Sequence, residues 1–520
     1  MMAARQSGRR AERHRTSPRR PNIWWIGLLV GLVGGGTVAW AYPAPSVDVI
    51  KIEAADWYDH MRDILAPGGQ GTGSSTSPTE PQIYAGQPVE VPPEPDTDED
   101  LSFETIAELV NVNAPKPEAD VLAAELDDAI DDSQYANRVT VADVATGEVL
   151  YEHGGADAIV PASTLKLFTA VSALEQLGAD HRFVTSAGYD PDQGVVLIGG
   201  GDGLLSTGES TGETVGYAGL ADLAEKTWDE VGDQFAAEEN GTIDVWADVS
   251  RYEPPSIHPT WNESLMAAGW VSPVYPMNTY GGFYSNPLYD HTAVEDGAAY
   301  AGGAYAQQLT ALAQADGQDL EFRYAGQQAE PTNLEPVAEM RSAPLRQQLE
   351  YAMKQSNNML LEIFGREAAI AAGNSADFDG STATTIATVN ELGISTEHLE
   401  FVDNSGLSPN SRATLNSMVQ LYEVVLAEEH LRPLLNSLTI AGYDGTMRYR
   451  LAEAPYSGVV RSKTGTLEVA SSNAGMTVTA DGRALWFAIN TSGAGPDYDG
   501  ARAEQDRLTE IVTDCGCSGQ

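Results

Sequence analysis

Two hydrophobic periods alternate along this chain. In RVTVADVATGEVLYEH, residues 138–153, Val139 and Val141 alternate with polar neighbours, a Thr146–Gly147 pair follows, and a second short run at 148–151 completes a hairpin pattern. The same two-residue period returns in GVVRSKTGTL, AGMTVTADG and RALWFAINTSG, residues 458–493, with Asp481–Gly482 as the turn. Between them the period becomes helical. Pro161 opens a helix whose buried stripe is Leu167, Ala170, Val171, Leu174 and Leu177, and Gly178 is its natural stop. Further helical patterns run through residues 119–130 and, strongly, through PLRQQLEYAMKQSNNMLLEIFGREAAIA, residues 344–371. Antiparallel strands and helices in this order predict a sheet packed by helices.

Residues 186–340 differ in character. Short strands at 195–200 and 242–250 stand among many Gly and Pro residues, and the one long helical pattern lies near 219–231. This stretch reads as an inserted, mostly β region. Residues 67–100 are rich in Pro, Gly, Ser and acids, with little to bury, and form part of a disordered spacer over 43–110. Before it, residues 23–42 are apolar and uncharged behind an arginine-rich start, which predicts a transmembrane helix or a signal segment. Ala39-Trp40-Ala41 resembles a cleavage site, so both options stand, and each places the remainder outside the cytoplasm. The expected organisation is therefore 1–42 as basic N-terminus and membrane segment, 43–110 as spacer, 111–185 plus 341–515 as one catalytic domain, and 186–340 as the insertion.

Composition narrows the function. The formal charge is −46, although seven of the 29 basic residues lie in the first twenty positions, so the rest of the surface repels polyanions and nucleic acid is not an expected partner. The two cysteines, Cys515 and Cys517, are too close for an easy disulfide. The histidines lack ligand spacing, GGGD at 199–202 has no following Lys-Ser/Thr, and the acid clusters at 96–100 and 125–132 read as solvated faces. Neither metal nor cofactor is expected.

The chemistry lies in three short stretches. PASTLKLFTA places Lys166 three residues after Ser163, on the same helical face. KQSNNMLLE supplies Ser356, Asn357 and Asn358, and RSKTGTL supplies Lys463, Thr464, Gly465 and Thr466 on a strand. Alone, each triplet is weak. Together, in this order, they match the S-x-x-K, S-D-N, K-T-G set of class A β-lactamases and penicillin-binding proteins, with Asn357 standing where that set often has Asp. With DNSGLSPNSRAT and AGYDGTMRYR, the chain resembles the class C low-molecular-mass penicillin-binding proteins, the D-alanyl-D-alanine carboxypeptidase and endopeptidase family, over roughly residues 120–515. The resemblance implies an α+β fold of the serine β-lactamase/DD-peptidase type. It also implies a serine carboxypeptidase acting on peptidoglycan stem peptides and acylated by β-lactams.

Elementary chemistry agrees with the roles that the resemblance implies. Ser163 needs a base, and Lys166, buried near a second cation, would lose its proton readily. Ser356 would relay that proton to the leaving amine, and Asn358 would orient Lys166 and the substrate amide. Lys463 and Thr464 would hold the terminal carboxylate. By the resemblance, the amides of Ser163 and Thr466 form an oxyanion hole, and Gly465 lets the substrate lie along the strand. Asp403, Ser405, Asp444 and Arg448 read as supporting residues. A β-lactamase is the first alternative, opposed by the lack of an E-x-x-L-N stretch, and a catalytically silent wall-binding protein of the same fold is the second.

Overall fold

The computed structural model describes residues 113–235, 241–286, 292–328 and 331–515. Residues 1–42, expected to be the basic N-terminus and membrane or signal segment, residues 43–110, expected to be a spacer, and Cys517 lie outside these residues. Near the start, β1 (Ala136–Asp143) and β2 (Val149–His153) pair antiparallel around Gly147, whose φ of 70° suits a turn glycine. The inserted region contributes β3 (Val184–Asp190), β4 (Gly194–Ile198), β5 (Asp202–Leu205), β6 (Thr242–Asp248), β7 (Met277–Thr279), β8 (Glu321–Gln328) and β9 (Pro336–Arg341). The last strands are β10 (Thr439–Ile440), β11 (Arg461–Leu467), β12 (Ala470–Val478) and β13 (Ala484–Ser492). Six of them form one antiparallel sheet in the order β10-β11-β12-β13-β1-β2, with the two chain-distant hairpins joined through β13 and β1.

Strand alternation gives this sheet two apolar faces. Ala474, Met476, Trp486 and Ala488 pack against the helices Lys166–Leu177, Asn358–Ala371 and Leu415–Ala427. Val139, Val141, Leu485, Phe487 and Ile489 face the other way, onto Leu122 and Leu126 of the first helix and Leu508 and Val512 of the last. Trp486 is fully buried and stacks on Tyr422, centroids 5.0 Å apart and planes within 10°. Truncating such a side chain to alanine costs about 3–5 kcal/mol. Where β1 ends and β13 begins, buried Arg483 clasps buried Asp143 through two bonds of 2.5 and 2.6 Å.

The helical segment 344–371 is not continuous. It splits into Leu345–Lys354 and Asn358–Ala371 at Ser356, whose φ of 52° is left-handed, and Asn357 caps the second helix by accepting from the Leu360 amide at 2.9 Å.

The inserted region is more helical than its sequence suggested. Its five-stranded sheet, ordered β8-β6-β4-β3-β9, packs against two long helices, Leu220–Phe235 and Gly297–Ala315. The second was not expected. Its Ala- and Gly-rich sequence, GAAYAGGAYAQQLTALAQA, lacks a strong apolar stripe, and Asp296 supplies the N-cap that starts it.

Candidate active site

The three motif stretches converge where the Ser163 turn, the Asn358 helix and β11 meet. Ala162–Leu165 is a 3-10 turn and the α-helix proper begins at Lys166, so the nucleophile candidate precedes the helix expected to carry it. The tighter turn still brings residues i and i+3 together. Lys166 Nζ lies 2.8 Å from Ser163 Oγ. The same ammonium or amine nitrogen reaches Asn358 Oδ1 and the Ser405 carbonyl, each at 2.6 Å. Across the cleft, Lys463 Nζ is 2.9 Å from Ser356 Oγ and 2.8 Å from the Thr464 carbonyl. Both lysines are fully buried, whereas both serines are partly open to solvent.

Two backbone strains frame this arrangement. Ala162, just before Ser163, has a φ of 48°, and Ser356 has one of 52°. Non-glycine residues rarely adopt these values, and such strain concentrates at functional sites. Gly465 explains how the strand comes so close to the turn. A Cβ there would lie 2.6 Å from the Ser163 nitrogen and 3.0 Å from that of Thr164. The glycine lets β11 touch the serine turn, and Thr466 follows it along the strand.

Burial dominates the electrostatics. It pulls the Lys166 amine down to about 7, against the opposing pull of Asp403 and Glu362. Burial, and then the charge of Lys166, drive Lys463 well below the ordinary lysine value. Thr464 Oγ1 sits 2.6 Å from the hydroxyl of exposed Thr446, giving two hydroxyls side by side at the strand's edge. β10 pairs only with Arg461 and Ser462, so from Lys463 onward that edge of β11 carries no strand among the described residues.

The family described as D-Ala-D-Ala carboxypeptidase 3 (S13) matches residues 122–289 and 284–514. This chain belongs to that family. Carboxypeptidase DacB of Mycolicibacterium smegmatis is 31% identical over 421 residues, covering 78% of this chain and 87% of its own. The D-alanyl-D-alanine carboxypeptidase of Actinomadura sp. is 27% identical, covering 69% of this chain and 78% of its own. Penicillin binding protein 4 of Haemophilus influenzae superposes with a TM-score of 0.60 at 20% identity, covering 74% of this chain and 99% of its own. The likeness shows that this S13 chain has the same α+β DD-peptidase fold.

Several residues around this cluster escaped the sequence reading. Glu362 is fully buried and accepts from the amides of Asn404 and Ser405. Its signal was a carboxylate inside the otherwise apolar stretch NMLLEIF. Thr446 lay within a quoted stretch without a role. Of the supporting residues, Asp403 accepts from Gly406, Ser408 and Trp261, Ser405 meets Lys166 through its carbonyl, and Asp444 pairs with Lys354 at 2.9 Å. Arg448 instead lies over the Tyr449 ring. The insertion also reaches the site, because Asn358 Nδ2 donates to the Trp270 carbonyl at 2.8 Å and Asn357 Nδ2 to that of Gly281 at 2.9 Å. No sequence pattern announces a backbone carbonyl as a partner.

Proposed function

We propose that this serine-type D-Ala-D-Ala carboxypeptidase of the cell envelope works through an acyl-enzyme on Ser163, with Lys166 as the base. One observation supports this most strongly: a fully buried amine, drawn down to about 7, is held on the serine hydroxyl at 2.8 Å with two fixed acceptors behind it. The neutral amine takes the Ser163 proton as Oγ attacks the carbonyl of the penultimate D-alanine. The oxyanion forms against the amides of Ser163 and Thr466. The proton then leaves through Ser356 to the nitrogen of the departing D-alanine, the C–N bond breaks, and water later hydrolyses the ester.

The substrate also prepares the site. Its terminal carboxylate would lie on Lys463 and the hydroxyls of Thr464 and Thr446. An anion there restores the Lys463 ammonium, and that positive charge keeps Lys166 neutral. The open edge of β11 suits a peptide stem added as a strand, with Asn358 beside it. β-Lactams, which share the carboxylate and the reactive carbonyl, would acylate Ser163, and cross-linked stems would be cleaved by the same chemistry. The segment 23–42 would anchor the protein to the membrane or direct its export.

The test is release of D-alanine from a pentapeptide stem together with labelling by a fluorescent penicillin. A slowly decaying adduct with D-alanine release supports this reading. Rapid turnover of the penicillin would make it a β-lactamase, and absence of both activities a silent wall-binding protein.

A further inference from the structure

Glu362 lies one helical turn after Asn358, on the same face of the Asn358–Ala371 helix. Its carboxylate is fully buried and grips the turn at 404–405, with Oε1 2.8 Å from the Ser405 amide and both oxygens 3.1 Å from the Asn404 amide. That turn carries the Ser405 carbonyl onto Lys166 Nζ at 2.6 Å. A single helix therefore sets two of the three hydrogen-bond partners of the amine: Asn358 Oδ1 directly, and the Ser405 carbonyl through Glu362. The turn is anchored elsewhere too, by Thr169 donating to the Asn404 carbonyl, by the Asn404 side chain donating to Ser381 and accepting from Thr385, and by Asp403 accepting within the turn. Those bonds would hold its shape without any charge at position 362. A glutamine of the same size would fill the space without placing a negative charge beside the base.

We infer that Glu362 is a positioning residue for the reaction, fixing the Ser405 carbonyl on Lys166 and using its buried charge to set how readily that amine gives up its proton. The inference rests on Lys166 being the base. The charged and titratable groups around the amine are Lys463 from β11, Asp403 from the turn and Glu362 from the helix. Behind these carboxyls stand Arg366, Tyr252 and His258. The Glu362 anion favours the Lys166 ammonium, so it moderates the drop that burial imposes. Burial in turn lifts the Glu362 carboxyl to about 7, so the two groups exchange protons over the same interval.

The deciding experiment is the pH dependence of penicillin acylation in the full chain, for the unsubstituted protein, Glu362→Gln and Glu362→Asp. Without the carboxylate the Lys166 ammonium loses support, so the midpoint of the acid limb of Glu362→Gln should move lower by up to about one pH unit, with the gain largest near pH 7 and the two curves converging in stronger acid, where Glu362 is itself protonated. Glu362→Asp keeps the charge, so its limb should stay in place while the plateau falls. A plateau lowered in both variants with no displacement of either limb overturns the inference. Should Glu362→Gln fail to fold, lysine Cε-labelled NMR of the unsubstituted protein decides. A Lys166 titration broader than one proton supports the coupling, and a simple one-proton curve overturns it. Lys166→Arg, run alongside, tests the base separately. Guanidinium cannot act as a base near neutral pH, so retained labelling there sinks that assignment. Lost labelling there with an unshifted Glu362→Gln limb sinks only the role of Glu362.

Discussion

Replacing Thr464 with valine removes one hydroxyl and almost nothing else. Valine keeps the β-branched shape, so β11 retains its packing. The Thr464 hydroxyl is paired at 2.6 Å with that of Thr446, and Thr446 is exposed, so the orphaned hydroxyl can turn to water at little cost to folding. What is lost is a hydrogen bond to the substrate carboxylate. Such a bond to a charged group is worth about 1.5–3 kcal/mol, or roughly ten- to a hundredfold in rate. Because Thr446 can swing toward the same carboxylate, the single variant should fall at the lower end, and Thr464→Val with Thr446→Val together should fall further. The assay is kcat/KM for D-alanine release from a stem with a free terminal carboxylate, compared with cleavage of the amidated stem. The loss should be much smaller on the amide. Equal loss on both would mean that the hydroxyl only supports the strand, and the carboxylate site would have to lie elsewhere.

Acylation should rise with pH through about 7 and fall roughly tenfold per unit below it, because the ammonium form of Lys166 cannot accept a proton; a profile flat down to pH 5 would contradict this. Gly465→Ala should cut acylation by about a hundredfold with the fold intact by circular dichroism, since its methyl would displace the Ser163 turn, and unchanged labelling would refute that contact. Asp143→Asn should cost about 3 kcal/mol in urea unfolding by taking from buried Arg483 its carboxylate partner. Burial alone would raise the Asp143 carboxyl, but the bonds from Arg483 and Thr146 outweigh it and hold it below its usual value. Its stabilisation is therefore complete above about pH 4 and lost as pH falls through the lowered value, so the gap between the two proteins should close only in strong acid.

The parts of this molecule legible in its sequence are those governed by local periodicity. The alternation at Val139 and Val141 and the turns at Gly147 and Gly482 marked the sheet, and the β12–β13 hairpin fell where expected. The helix Gly297–Ala315 was hidden because alanine favours helix without drawing a stripe. The split at Ser356 was hidden because a left-handed serine is imposed by its surroundings rather than by its own preference. The side chains proposed to react, Ser163, Lys166 and Lys463, could be picked out, since their types and spacing carry chemistry. Their supports could not. The Ser405 and Trp270 carbonyls act through backbone atoms that every residue has, and Glu362 acts across 43 positions of chain, a distance only folding closes.

The central claim is that Ser163 is the acylated residue, and mass spectrometry of the penicillin adduct tests it most directly. After brief incubation and digestion, the peptide bearing Ser163 should carry the full mass of one penicillin, and Ser163→Ala should carry none. An adduct on Ser356 or any other residue, or one that persists in Ser163→Ala, would contradict the account.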